Sequence, residues 1–224
     1  MSDSIIKHTS KTAITMIAFA FVGTALLAYV FEITRAPIEA SEAEARLALF
    51  KQILPENTYD NDLLKQIIKI APNELLGNRL PTEANIAMLH HKVAGVILEA
   101  VAHDGYSGDI KLLIAIRADG SISGVRVLAH KETPGLGDYI DVARSNWIKL
   151  FNNESLAKTP AKQWQVKKDG GKFDYMVGAT ITPRAVVKAV LKAEQFFEMN
   201  KETLFADPKN TASENTGLIQ KNKD

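Results

Sequence analysis

The segment Ile110-Lys-Leu-Leu-Ile-Ala-Ile-Arg-Ala-Asp119-Gly120-Ser-Ile-Ser-Gly-Val-Arg-Val-Leu-Ala129 carries two β-branched, apolar runs on either side of an Asp-Gly pair. Asp-Gly favours the left-handed backbone of a two-residue hairpin turn, so Ile110 to Ala118 and Ile122 to Ala129 predict paired antiparallel strands. Val93 to Ala102, just upstream, has the same character and adds a strand. The loop His103-Asp-Gly-Tyr-Ser-Gly-Asp109 joins it to the hairpin, with glycines and polar residues suited to a turn. Beyond the strands, Pro183 to Met199 puts Val186, Val190, Ala193 and Phe197 on one helical face and Lys188, Lys192 and Gln195 on the other. Such a helix docks on a sheet. The fold class is therefore α+β, an antiparallel sheet with packed helices, in a main domain over 91–200.

Working towards the N-terminus, residues 35–90 read as a helical stalk and packing segment. Ala40 to Leu54 has helical spacing through Leu47, Phe50 and Ile53 and stops at Pro55. A short helical run around Leu63, Ile67, Ile68 and Ile70 ends at Pro72 and the Gly77-Asn78 pair. Before these, Thr12 to Phe31 is 20 residues without a charge, long enough as a helix to cross a bilayer core of about 30 Å. An anchor over 12–34 follows, with residues 1–11 ahead of it. Lys7, His8 and Lys11 precede the run, and Glu32, Glu39, Glu42 and Glu44 follow it with Arg35 alone among them. The positive-inside bias then predicts a single-pass inner-membrane protein with a cytoplasmic N-terminus and an exported, periplasmic domain. A cleaved signal is the competing reading, but the apolar run exceeds a typical signal core and no small-residue site follows closely. At the other end, 201–224 is polar and reads as a disordered tail.

Composition narrows the chemistry. The 224 residues have a net charge of +1, which gives no basic face for nucleic acid. There is no cysteine, which excludes disulfides, thiolate iron–sulfur clusters and thioether-linked haem. The five histidines, His8, His90, His91, His103 and His130, have no paired metal-ligand spacing. Redox chemistry, if present, needs a borrowed organic cofactor or a metal held by other ligands, and the histidine spacing speaks against a dedicated metal centre.

Two stretches have the look of a site. His130-Lys-Glu-Thr-Pro-Gly-Leu-Gly137 places Pro134-Gly135 at the middle of a type II turn, and its glycines leave backbone groups open to a flat ligand. Its structural alternative is a tight turn feeding a helix from Asp138 to Phe151, whose Ile140, Ala143, Trp147 and Phe151 form a buried stripe. Gly135-Leu-Gly137 imitates a dinucleotide fingerprint, but Ile140 stands where the third glycine belongs and the strands form no βαβ unit. The second stretch is Asp174-Tyr-Met-Val-Gly-Ala-Thr180-Ile-Thr-Pro-Arg-Ala-Val-Val-Lys-Ala-Val190. Thr182 is placed as helix N-cap and Pro183 at the first helical position. Thr180 falls where free N–H groups and the helix dipole favour an anion such as phosphate.

That second stretch resembles the attachment site of periplasmic flavoproteins in which FMN is joined to threonine by a phosphoester. Asp174, Gly178, Ala179 and Thr180 fall in register with the family pattern, whereas Tyr175 and Val177 stand where it has glycine and a hydroxyl residue. The sequence from Ile181 to Val187 is most similar to the G subunit of the Rnf (Rsx) electron transport complexes and less similar to the related C subunit of sodium-translocating NADH:quinone reductase. The His130–Gly137 string and the Gly-Tyr-Ser-Gly loop resemble segments of the flavin-binding domains of this family as a whole. The resemblance implies covalent FMN on Thr180 and FMN contacts from Glu132, Thr133, Gly135, Leu136, Gly137, Gly178, Ala179 and Thr182. It implies a flavin transferase that recognises Asp174, Gly178 and Ala179. It further implies an electron carrier within an ion-translocating oxidoreductase, with the other complex subunits and the membrane as partners and no independent substrate turnover. A flavin-free membrane-anchored scaffold and a quinone-reductase C-type carrier are the alternatives.

Overall fold

The computed structural model describes the backbone of Ser2–Ala206 and the side chains of 8–206. Contacts divide the chain into two units, residues 1–46 and residues 47–224. The first is the greater part of α1 (Ser2–Ile53). Its segment from His8 onward contains a run long and apolar enough to cross a membrane, with none of that run buried in protein. Phe19, Phe21 and Leu27 are about three-quarters exposed. The hydroxyls in this stretch turn back on the helix: Thr12, Thr15, Thr24 and Thr34 donate to the carbonyls of His8, Lys11, Ala20 and Val30 at 2.7–3.0 Å. None of these four hydroxyls needs water, which suits an apolar medium. Pro37 lies inside the helix and removes one N–H from its ladder, and an Arg35–Glu39 ion pair spans that turn at 2.7 Å.

The second unit is built on one antiparallel sheet in simple sequence order: β1 (Ile67–Ile70), β2 (Thr82–Leu89), β3 (Lys92–Ala102), β4 (Ile110–Arg117) and β5 (Ile122–Ala129). The hairpin expected from the sequence is present, with Ile114 opposite Val125 and Ile116 opposite Ile122. Its connection is one residue longer than a two-residue turn: Gly120 N–H bonds Arg117 O at 2.9 Å, and Gly120 has φ +82°. This is the three-residue loop closed by a left-handed glycine.

Strands β3 and β4 are covered on both faces, which explains their nearly continuous apolar sequence. On one face Val96, Leu98, Leu112 and Ile114 meet Val186, Val190, Ala193 and Phe197 of α2 (Ile181–Phe205). On the other, Ile97, Leu113 and Ala115 pack under Phe50, Ile53, Leu54 and Leu63. Arg126 donates to Gln52 O at 3.0 Å and to Gln52 Oε1 at 3.1 Å, so it satisfies a carbonyl at the end of α1.

Several expectations are corrected. The segment around Ile67, Ile68 and Ile70 is strand β1, not a helical run, and β2 also falls within the 35–90 segment expected to be helical, so the sheet begins well before residue 91. The stalk helix over 40–54 is continuous with the anchor helix through Pro37 and ends at Ile53. Asp138 to Phe151 is not an α-helix: two 3₁₀ turns, Gly137–Ile140 and Trp147–Phe151, bury Ile140, Trp147 and Phe151 while Ala143 is exposed. Residues 201–205 of the expected tail are the last turn of α2, and 207–224 lie outside the described residues.

Candidate functional site

The chain makes a tight turn over Thr133–Leu136, in which Leu136 N–H bonds Thr133 O at 3.1 Å and Gly135 takes φ +76°. That is the positive φ that a type II turn demands after proline. A second turn covers Met176–Ala179: Ala179 N–H bonds Met176 O at 3.1 Å, and Gly178 has φ +94° with open space beside its Cα. A side chain at Gly178 would strain the backbone even though nothing crowds it. Tyr139 pins this turn from below, its hydroxyl accepting from Met176 N–H at 3.3 Å and donating to Ala179 O at 3.5 Å. Burial raises the Tyr139 pKa, opposed by the Met176 N–H bond. Beneath lies an aromatic stack of Trp147, Phe151, Trp164 and Phe173 with centroids 4.8–6.3 Å apart. Trp147 Nε1 donates to Asp174 O at 2.6 Å.

The two turns meet over a cavity of about 300 Å³ lined by Tyr106, Glu132, Thr133, Leu136, Gly137, Gly178, Ala179, Thr180, Ile181 and Thr182. This places together every residue expected at the flavin except Gly135, whose N–H instead bonds Asp138 Oδ1 at 2.8 Å. Asp174 stands apart, exposed and paired with Lys167 at 2.5 Å.

Glu132 ties the walls. Buried to 3% exposure, it accepts Ser107 N–H on Oε1 at 2.9 Å and the Thr182 hydroxyl on Oε2. His130 Nδ1 accepts Glu132 N–H at 3.1 Å, a structural role. Gly137 is required by close approach, since a Cβ there would lie 2.8 Å from Thr182 Oγ1 and 2.9 Å from Glu132 Cβ. Thr182 is consequently not the helix cap. Helix α2 begins at Ile181, the capping position is Thr180, and no side chain makes a capping bond. The Thr182 hydroxyl is drawn inward to Glu132 instead.

Thr180 itself is half-buried on the cavity wall, and its hydroxyl has no hydrogen-bond partner among the described residues. The first-turn N–H groups of Ile181 and Thr182 precede the helix's own acceptors, and both residues, at the positive end of a 25-residue helix, line the cavity. Among the lining residues the one carboxylate is Glu132, whose oxygens are already engaged. The donor set therefore fits a phosphate, and the apolar fringe of Leu136 and Ile181, each nearly half exposed, fits the edge of a flat ring. At about 300 Å³ the cavity is at the lower bound for small-molecule sites, so a larger ligand would fit only in part and leave the remainder at the surface. No group of three or more potential metal ligands occurs among the described residues.

Tyr106 and Ile181 are the lining residues that sequence reasoning does not assign; Ile181 falls at the start of the helix, and Tyr106 lies in a loop. Only its place in the Gly-Tyr-Ser-Gly loop marks it.

Residues 105–195 match the FMN-binding domain family, and residues 1–53 match the RnfG N-terminal region. The G subunit of an ion-translocating oxidoreductase complex from Pseudomonas aeruginosa (strain UCBPP-PA14) is 46% identical over 196 residues, 88% of this chain and 92% of the relative. The proteins of the same description from Shewanella baltica (strain OS223) and Aliivibrio fischeri (strain MJ11) are 42% and 40% identical over 200 residues, 89% of this chain and 94% and 95% of theirs. With an apolar N-terminal helix, a five-stranded antiparallel sheet and an FMN-binding domain closed by α2, the chain belongs to the family of G subunits of the ion-translocating oxidoreductase complexes.

Proposed function

We propose that this chain is an electron-carrying subunit of an Rnf-type complex, with FMN esterified through its phosphate to Thr180. The observation that supports this best is the Thr180 hydroxyl, free of partners among the described residues, at the start of α2 in the cavity shared with the Glu132–Gly137 loop. The Ile181 and Thr182 N–H groups and the helix dipole hold the phosphate charge. Glu132 fixes the Thr182 end of the helix against the two loops, which keeps the acceptor oxygen in place. Leu136, Gly137 and Gly178 give the ring an apolar, close-fitting seat. Bound FMN supplies the redox chemistry, and the protein supplies its position and electrostatics. A covalent link removes dissociation, which matters for a domain outside the cell's cofactor supply.

In this reading α1 is the single anchor, the N-terminus is cytoplasmic and the domain is periplasmic in the inner membrane, as the charges flanking the span favour. Exposed Asp174, with Gly178 and Ala179, is the recognition sequence for a flavin transferase. Its partners are the other subunits of the complex, and there is no independent turnover. The test is in-gel flavin fluorescence after denaturation of the chain co-produced with a transferase. A fluorescent band lost in Thr180→Val supports the assignment. A colourless parent favours a flavin-free scaffold, and a fluorescent Thr180→Val band moves the attachment elsewhere.

A further inference from the structure

A net charge of +1 hides an uneven distribution. Residues 143–192 hold ten Lys and Arg against three Asp and Glu, a net charge of +7, so the remainder of the chain is acidic. The structure gathers much of that excess into one surface. Lys158 and Lys172 share buried Glu154 at 3.2 and 2.6 Å, and Lys172 N–H bonds Gln163 O at 2.9 Å, which folds 158–172 back on itself. Arg184 grips Asp169 with two bonds of 2.5 Å, which sets the 167–172 loop against the first turns of α2. From there Arg184, Lys188 and Lys192, four residues apart, continue along one helical face.

The three acids of this region are used internally: Glu154 by Lys158 and Lys172, Asp169 by Arg184, and Asp174 by Lys167. Lys149, Lys162 and Lys168 are exposed and have no carboxylate partner among the described residues. Lys162 and Lys168 stand on short 3₁₀ turns, Ala161–Gln163 and Lys167–Asp169. Between Asp174 and α2, the Met176–Ala179 turn holds Val177 at 86% exposure and Met176 at 42%. An apolar tip beside unneutralised cations has the anatomy of a protein interface, apolar in the middle and charged at the rim. The large aromatics of this region, Trp147, Phe151, Trp164 and Phe173, are all buried, so the surface lacks the rings by which amphipathic segments enter lipid. Charge complementarity then asks for carboxylates on the other side.

We propose that the lobe of residues 158–174, with Arg184 and Lys188 of α2, is a docking surface for an acidic face of another subunit of the complex. Such lysines act on the rate of association, because their field steers a partner over about a Debye length, while dissociation depends on contacts made once docked. What the docking serves rests on the neighbouring cavity being the FMN site; the attraction itself needs no flavin.

The full chain, purified in detergent with FMN and without it, is captured by the complex prepared without this subunit. Association and dissociation are followed between about 0.01 and 1 M salt, over which the Debye length falls from about 30 to about 3 Å. Lys162→Glu/Lys168→Glu is expected to associate roughly tenfold more slowly than the parent at the low-salt end, to match it at the high-salt end, and to dissociate at the same rate. Lys65→Glu/Lys92→Glu, an equal charge change just before β1 and at the start of β3, associates as the parent does. The flavin-free chain associates as the loaded one does, so a parent without FMN by intact mass overturns the flavin reading while the surface stays tested. Equal slowing in both lysine pairs overturns the proposal, because position then does not matter. Unslowed association of Lys162→Glu/Lys168→Glu also overturns it, with a loss of FMN loading assigning the surface to the transferase. Protection of 158–172 from hydrogen exchange in nanodiscs of anionic lipid, with no other subunit present, assigns the surface to the membrane and overturns it as well.

Discussion

Glu194 is the least comfortable residue in the domain. It lies on the packed face of α2 with no exposed surface, and neither carboxyl oxygen has a hydrogen-bond partner among the described residues. Burial, then the negative charges of Glu198 and Asp119, raise its pKa from 4.5 to about 8. The sign of the consequence follows from where each state releases its proton. Below 4.5 both folded and unfolded chains hold it, and nothing is lost. Between 4.5 and about 8 the unfolded chain releases the proton while the fold retains it, so stability falls as pH rises. Above about 8 the loss is complete and level. At about 1.4 kcal/mol per pH unit, the interval amounts to at most roughly 5 kcal/mol. Glu194→Gln keeps the shape and removes the titration. Urea denaturation of the full chain in detergent reports on this unit alone, because both tryptophans, Trp147 and Trp164, are buried in it. The advantage of Glu194→Gln over the parent is expected to be small at about pH 4 and to grow by several kcal/mol by about pH 8. Parallel stability curves for the two proteins across that range would refute the reasoning.

Two substitutions test the walls of the site. Thr182→Ala leaves one oxygen of buried Glu132 without its donor and is expected to destabilise the domain by about 1–3 kcal/mol in the same urea assay, with Thr182→Ser restoring it. An equal loss in Thr182→Ser would mean that the methyl packing matters and the hydroxyl does not. Gly137→Ala forces a Cβ to within 2.8 Å of Thr182 Oγ1. It is expected to cost about 1–3 kcal/mol and to lower flavin loading by mass, whereas unaltered loading would show that the Glu132 tie is not needed for the pocket.

How much of this is legible in the sequence depends on whether local pattern and tertiary context agree. The β4–β5 hairpin, the apolar N-terminal helix and α2 have long, unambiguous periodicity, and all three form. Strand β1 is Ile-Ile-Lys-Ile, too short to choose between helical and strand spacing once Leu63 is included. Strand β2, Thr-Glu-Ala-Asn-Ile-Ala-Met-Leu, is made largely of helix formers and is strand because it is paired on both sides, with β1 and β3. The stripe from Ile140 to Phe151 has a period near that of an α-helix, but 3₁₀ turns bury Ile140, Trp147 and Phe151 all the same. Thr182 carries a capping residue's chemistry, yet a buried carboxylate 50 residues away competes for its hydroxyl. Tyr106 is hidden for a related reason: the loop's glycines explain themselves as turn chemistry, and only the fold brings it beside the start of α2.

The most direct test of the covalent flavin is the intact mass, followed by peptide mapping, of the full chain exported with a flavin transferase. The account predicts a gain equal to FMN minus one water, carried by the peptide that contains Thr180 and absent from Thr180→Val. An unmodified parent, or the same gain on a peptide without Thr180, would contradict it.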